Sequence, residues 1–424
     1  MRKARFFLTT LVLLALLPAG LAFPGDTPGG SAGPGGGAAR VPTETEKRSD
    51  EAAQSIDPSL IRANTRFAFD IFQELTSEDR GKNVFLSPFS ILLALAMTYN
   101  GAAGDTKLAM AEALQFSGFE LEQLNRGFGD LMTSAVNADE QVEISIANSI
   151  WYGLGFKAKQ DFVERNRTYY GSEVRGLDFN DPQAADTINQ WIDDATKGKI
   201  EKMIDAISAD TVMFLINAIF FKGDWTHQFS ERATRDEEFT LETGDTKKVP
   251  MMHLEQQFRH ARGNNFGILR LPYGREKLAM YIFLPDEGEN LDAIIAELDD
   301  ESWYQLKSEL QKKDVALVMP KYRIEYGVKL LNGVLARIGM GIAFVPSEAD
   351  FSGIDPGLFI HKVLHKAVIE VNEQGSEAAA ATVVIMEKSL PPPPLEFIVD
   401  RPFLFTIADD RTGSILFMGK VAEP

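Results

Sequence analysis

The spacing of apolar positions changes character along the chain. Phe67, Ile71, Phe72 and Leu75 recur at helical spacing, and residues 90–99, entered through Pro88, form a nearly continuous apolar run. A helix that is apolar all round must be buried, so this run predicts a central one. Residues 291–310 predict an amphipathic helix with Asp and Glu on its outer face. Short apolar or alternating runs predict strands at 142–152, 212–221, 280–285, 315–320, 368–371 and 403–407. The last pairs naturally with 415–418 across Asp409-Asp410-Arg411-Thr412-Gly413, which carries hairpin-turn residues. Helices early, strands late and no regular alternation between them give an α+β class with mostly antiparallel sheets.

The N-terminal residues follow another pattern. Arg2, Lys3 and Arg5 precede an apolar run at 6–17, followed by Pro18, Gly20 and Ala22. This order of charge, apolar core and small residues predicts a signal peptide over 1–22 and a secreted, extracellular chain. A retained anchor would need ~20 apolar residues, more than this run supplies. Residues 23–55 are rich in glycine and proline and then charged, which predicts a flexible leader without a core of its own. Gly29-Gly30-Ser31-Ala32-Gly33 matches a nucleophile-elbow pattern, but a glycine-rich tether lacks the strand, turn and helix that pattern requires. No second linker follows, so residues 56–424 read as one large domain.

Composition narrows the function. With 45% hydrophobic and 25% charged residues, the chain matches a soluble protein with a large core. A net charge of −18 argues against binding a nucleic-acid backbone or an anionic membrane. With no cysteine, disulfides, thiolate metal sites and a cysteine nucleophile are excluded. No serine, histidine and carboxylate fall into a recognisable triad order, no His-Glu-x-x-His pair binds a metal, and no phosphate loop is present. No cofactor is expected.

The segment 373–394 carries conflicting local preferences. Ala378, Ala379, Ala380 and Ala381 favour helix, while Thr382, Val383, Val384 and Ile385 favour strand. Read as a strand, it places Ser376, Ala378, Ala380, Thr382, Val384 and Met386 on one uncharged face, with Glu377 on the other. Small residues at its leading end suit a strand that slides between two others, and Gly375 suits a hinge. Pro391, Pro392, Pro393 and Pro394 cannot donate ladder hydrogen bonds and mark where insertion stops. The plainer reading is a surface linker, although long unstructured loops inside compact domains are uncommon and often functional.

Several motifs in order resemble the serpin family over residues 56–424. They are Asn83-Val84-Phe85-Leu86-Ser87-Pro88-Phe89-Ser90-Ile91, Gly101-Ala102-Ala103-Gly104-Asp105-Thr106, Asn217-Ala218-Ile219-Phe220-Phe221-Lys222-Gly223-Asp224-Trp225 and His365-Lys366-Ala367-Val368. The closing pair is Arg401-Pro402-Phe403-Leu404-Phe405 with Phe417-Met418-Gly419-Lys420-Val421. The resemblance implies a serpin fold of three β-sheets and about nine helices with an exposed reactive-centre loop at 373–394. It also implies a metastable inhibitor that a serine-type protease cuts, and that traps the protease as an acyl complex while the cut loop inserts into the central sheet. Loop insertion in this family is itself an established instance of switching by strand addition.

Residue by residue, the resemblance implies a hinge of Glu373, Gly375, Ser376, Glu377, Ala378, Ala379, Ala380 and Ala381. Asn83, Ser87, Ser90, Asn217 and His365 match a polar cluster where the sheet opens, and Trp225, Lys321 and Glu373 match the loop-entry site. The family's usual count puts the scissile bond at Ser389-Leu390, implying elastase-like or subtilisin-like targets. Residue type points instead to Lys388-Ser389 and trypsin-like targets. The competing expectation is a non-inhibitory serpin that carries, stores or chaperones. No heparin-type cofactor is expected, because the stretch after Met110 holds Glu112, Glu120, Glu122 and Asp130 against Arg126. A monomer is expected, and Asn166-Arg167-Thr168 is a glycosylation sequon.

Overall fold

The computed structural model describes residues 42–208, 210–375 and 393–424. The expected signal peptide, most of the leader, Ser376, Glu377, Ala378, Ala379, Ala380, Ala381, Lys388, Ser389 and Leu390 lie outside the described residues.

The first half runs α1 (Glu44–Ser55), α2 (Pro58–Glu78), β1 (Val84–Leu86), α3 (Pro88–Tyr99), α4 (Gly104–Ala113), α5 (Leu121–Val136), β2 (Val142–Gly153), α6 (Gln160–Tyr170), β3 (Glu173–Leu177), α7 (Ala184–Ala195) and β4 (Met213–Gly223). Strands then dominate: β5 (Arg235–Thr240), β6 (Thr246–Arg262), β7 (Phe266–Tyr273) and β8 (Leu278–Pro285). After α8 (Leu291–Glu297) and α9 (Asp300–Glu309) come β9 (Gln311–Pro320), β10 (Tyr322–Glu325), β11 (Lys329–Leu330) and α10 (Asn332–Leu335). The chain closes with β12 (Lys362–Val371), β13 (Leu395–Ile398), β14 (Phe403–Asp409) and β15 (Ile415–Val421).

Pairing joins the strands into two networks. The central sheet has the order β10-β12-β4-β2-β3, with β11 beside β12. The larger network runs β1-β15-β14-β8-β7-β6-β9-β13, with β5 on β6. β6 serves two layers, since its earlier residues pair with β5 and β9 and residues 259–262 pair with β7. Counting the β5-β6-β9-β13 arm separately gives the three expected sheets.

The alternation of β4 explains the layering. Phe214, Ile216 and Ala218 join a cluster with Ile188 and Ile192 of α7, while Leu215, Ile219 and Phe221 face the main core. α3 is buried along its whole length and packs against β2, β4 and β15, as its uninterrupted apolar run requires. Ser87 caps its N-terminus by accepting from Ser90 N–H, and Pro88 occupies its first turn.

Two expectations are corrected. The 291–310 helix is two helices, because Leu298 is extended and Asp299 begins a new capping box with Ser302. The leader does not reach residue 55: the folded unit starts at Thr43, and 44–55 is helical. The Thr43-Glu44-Thr45-Glu46 capping box starts α1, and contacts with distant residues hold it. Asn166 of the sequon is fully buried and donates to Phe162 O (3.1 Å), so the folded chain presents no glycan acceptor there. Among the described residues no helix is long and apolar enough to cross a membrane.

Candidate functional site

β4 and β12 run parallel at the centre of the sheet, whereas β2 lies antiparallel to β4 and β10 antiparallel to β12. Register places Asn148 of β2 opposite Asn217 of β4, and Asn217 opposite His365 of β12. All three occupy core-facing positions, so they form a polar rung across an otherwise apolar face.

The rung is bonded without any ion. Ser87 N–H donates to His365 Nε2 (3.3 Å), which leaves the ring proton on Nδ1, donating to Asn217 Oδ1 (2.5 Å). Asn217 Nδ2 donates to Asn148 Oδ1 (2.5 Å), to Ser90 O (3.0 Å) and to Ser90 Oγ. Ser87 Oγ donates to Leu416 O (2.7 Å) of β15, tying the rung to the second sheet. Burial pushes the His365 imidazole down to about 3 from an ordinary 6.5, so it is neutral at physiological pH.

The upper end of the same seam is built differently. The β4–β12 ladder ends at Phe220 and Val368, although β4 continues to Gly223 and β12 to Val371. A cleft of about 190 Å³ opens there, lined by Phe220, Phe221, Lys222, Arg323, Val368 and Asn372 among others. Above it, Asn372 and Gly375 pair with each other (both N–H···O distances 3.2 Å), so Glu373 and Gln374 turn the chain back on itself. Gly375 has φ +111°, and an added Cβ would collide with Gly223 O and the Trp225 amide, so only glycine fits this position.

This turn is latched to its surroundings. Trp225 stacks on Tyr273 at 4.3 Å; its indole N–H donates to Asn372 O (3.0 Å) and its amide to Gln374 O (3.0 Å). Phe229 N–H donates to Glu373 O (2.8 Å). The Glu373 carboxylate accepts from Lys321 Nζ (2.9 Å) and Thr234 Oγ1 (2.8 Å). Burial pushes the Glu373 carboxyl up, but the hydrogen bonds from Lys321, its own backbone and Thr234 outweigh it and hold the group below the usual carboxylate range. Glu373 is 5% exposed, so this is more than a surface ion pair.

Ser87, Ser90, Asn217 and His365 are thus brought together, as are Trp225, Lys321, Glu373 and Gly375. Asn83 is not in the rung: its side chain accepts from Ala422 N–H (2.7 Å) and Glu423 N–H (2.9 Å) and donates to Glu423 O (2.6 Å), pinning the C-terminus. Asn148, Tyr273 and Thr234 escaped the sequence reading. Asn148 lay within a predicted strand, and aligning that strand with the one holding Asn217 would have revealed it.

The match to known proteins agrees with this architecture. The profile of the family described as Serpin (serine protease inhibitor) matches residues 62–424. The leukocyte elastase inhibitor of Bos taurus is 37% identical over 380 residues, covering 86% of this chain and 99% of its own. The native-state crystal structure of tengpin, a thermophilic serpin, superposes with a TM-score of 0.80 at 31% identity, covering 87% of this chain and 95% of that one. Human thyroxine-binding globulin superposes with a TM-score of 0.77 at 32% identity, covering 86% and 98%. The chain belongs to the serpin family of serine protease inhibitors.

Proposed function

We propose that this chain is a secreted, single-use inhibitor of serine-type endopeptidases. The observation that carries the reading is the seam: β4 and β12 stop pairing three residues early, and the chain leaving β12 turns back against Gly223 and Trp225 at its mouth. A segment continuing down from Gly375 runs opposite to β12, and therefore opposite to β4 as well. Entering the seam replaces one parallel ladder with two antiparallel ones, which pair somewhat better per residue.

The chemistry follows from that geometry. The protease serine Oγ attacks the carbonyl of the residue before the scissile bond. The C–N bond breaks, the new amine leaves with its proton, and an ester joins the two proteins. Insertion of the freed segment then carries the acylated protease away before water completes hydrolysis. Two bonds compete, Ser389-Leu390 for elastase-like or subtilisin-like targets and Lys388-Ser389 for trypsin-like ones. Similarity to a relative named as an elastase inhibitor supports the first.

The test is to mix the purified chain with elastase, subtilisin and trypsin separately and identify products on denaturing gels and by mass spectrometry. A boiling-resistant complex and a released peptide beginning at Leu390 are expected. Loop cleavage without a covalent complex by any of the three would favour a non-inhibitory role, the reading that similarity to thyroxine-binding globulin keeps in play. Ala380→Glu, which would bury a charge in the inserted strand, is expected to leave cleavage intact and abolish the complex.

A further inference from the structure

α1 is a helix of twelve residues, Glu-Thr-Glu-Lys-Arg-Ser-Asp-Glu-Ala-Ala-Gln-Ser, with no large apolar side chain. Such a helix is not stable alone in water, and its polar face is the buried one: Glu46 is 2% exposed and Ser49 is fully buried. It also lies ahead of the region shared with the family, which begins at residue 62.

What holds it is a set of ions and hydrogen bonds to three distant elements. Arg275, in the turn between β7 and β8, pairs with Glu46, and Lys277 beside it pairs with Asp50 (2.7 Å). Arg411, in the turn between β14 and β15, donates to Asp50 (2.8 Å) and to Ser49 Oγ (2.9 Å). The same guanidinium donates to Ser134 O of α5 (2.9 Å) and to Asp409 (2.6 Å), while Ser49 Oγ donates to Ser134 O (2.8 Å). Ser55 Oγ donates to Asp130 of α5 (3.0 Å). Arg411 is therefore a junction of α1, α5 and the β14–β15 turn.

α5 leads into β2 through residues 137–141, and β2 pairs with β4 along eleven residue pairs. Opening between β4 and β12 separates β4, with β2 and β3, from β12, and the 137–141 link couples α5 to the β2 side. α1 ties α5 to two turns of the other network. We infer that α1 is an ionic strap that sets the barrier to opening the central sheet, slowing insertion of the uncut loop. The inference rests on the insertion reading above.

The experiment follows conversion of the uncut chain to a denaturant-resistant form at raised temperature, for the full chain, Glu46→Gln/Asp50→Asn, and Lys47→Gln as control. Among the described residues, Lys47 forms its ion pair with exposed Glu44 on the same helix. The double variant is expected to convert about tenfold faster, equivalent to about 1.4 kcal/mol in the barrier. Salt at about 1 M, where screening acts within about 3 Å, is expected to speed the full chain and not the double variant. Asp50→Asn alone serves if the double variant fails to fold, with a smaller acceleration expected. Equal rates for the full chain and the folded variants overturn the strap. Cutting the loop supplies the separating control: if the cut chain gains no resistance to denaturant, the insertion reading fails and the strap with it. A resistant cut chain with equal conversion rates sinks the strap alone.

Discussion

The seam between β4 and β12 is held at two places by opposite chemistry. Beneath it, Asn148, Asn217 and His365 form a neutral, buried rung. Above it, the turn from Asn372 to Gly375 is fastened by a carboxylate, Glu373, whose lysine partner is 42% exposed at the side chain. The difference follows from desolvation. A charge under the sheet would have to be stripped of water on every side, which a neutral imidazole and amides avoid, whereas Lys321 at the rim keeps part of its hydration. The rung is built of neutral partners alone, while releasing the latch breaks an ion pair.

The largest test of this contrast is Asn217→Ala. It strips His365 Nδ1–H, Asn148 Oδ1 and Ser90 of their shared partner, and a loss of about 2 to 4 kcal/mol is expected in denaturant unfolding of the uncut chain. Acid provides the second. His365 is depressed to about 3, so the folded state binds fewer protons than the unfolded one below 6.5. Its contribution is complete above pH 6.5 and is lost as pH falls toward 3. Between pH 7 and pH 5 the loss is about 2 kcal/mol, and His365→Gln should flatten that slope.

Smaller effects belong to the latch. Glu373→Gln is expected to cost about 1 to 2 kcal/mol, seen as faster hydrogen exchange at Gly375, Trp225 and Phe229, with the rung unaffected. Because the Glu373 carboxyl is depressed from 4.5, its contribution is present above that pH and disappears as pH falls through the lowered value. Between pH 6.5 and 4.5 the rung should therefore weaken while the latch holds. Lys321→Met leaves the buried Glu373 carboxylate its bond from Thr234 and should cost about 1 kcal/mol. A Lys321 effect exceeding that of Asn217→Ala would reverse the ranking of the two sites.

Much of this was legible in the residues. The apolar run of α3, its Ser87-Pro88 start and the alternation in β4 follow from local rules of capping and period. Ser87, Ser90, Asn217 and His365 stood out only through family resemblance, since a polar residue in an apolar run does not reveal its partner. Asn83 shows the limit: it belongs to the same motif as Ser87, yet its side chain bonds the C-terminus. α1 shows the converse, for Thr43 and Glu46 spelled a capping box inside a stretch too polar to seem foldable.

By itself the sequence determined α2, the buried central helix α3, seven of the strands from β2 to β15, and a small-residue segment after Gly375, because period, capping and side-chain volume act over a few neighbouring residues. Only the tertiary structure decided that Asn148 faces Asn217, that β12 lies parallel to β4 with an open upper end, and that Arg411 anchors a helix some 360 residues earlier, as the 361-residue spacing of the Arg411–Asp50 contact shows. Register and long-range ion pairs come from strands and turns brought together across the chain, and no local propensity encodes which partner arrives.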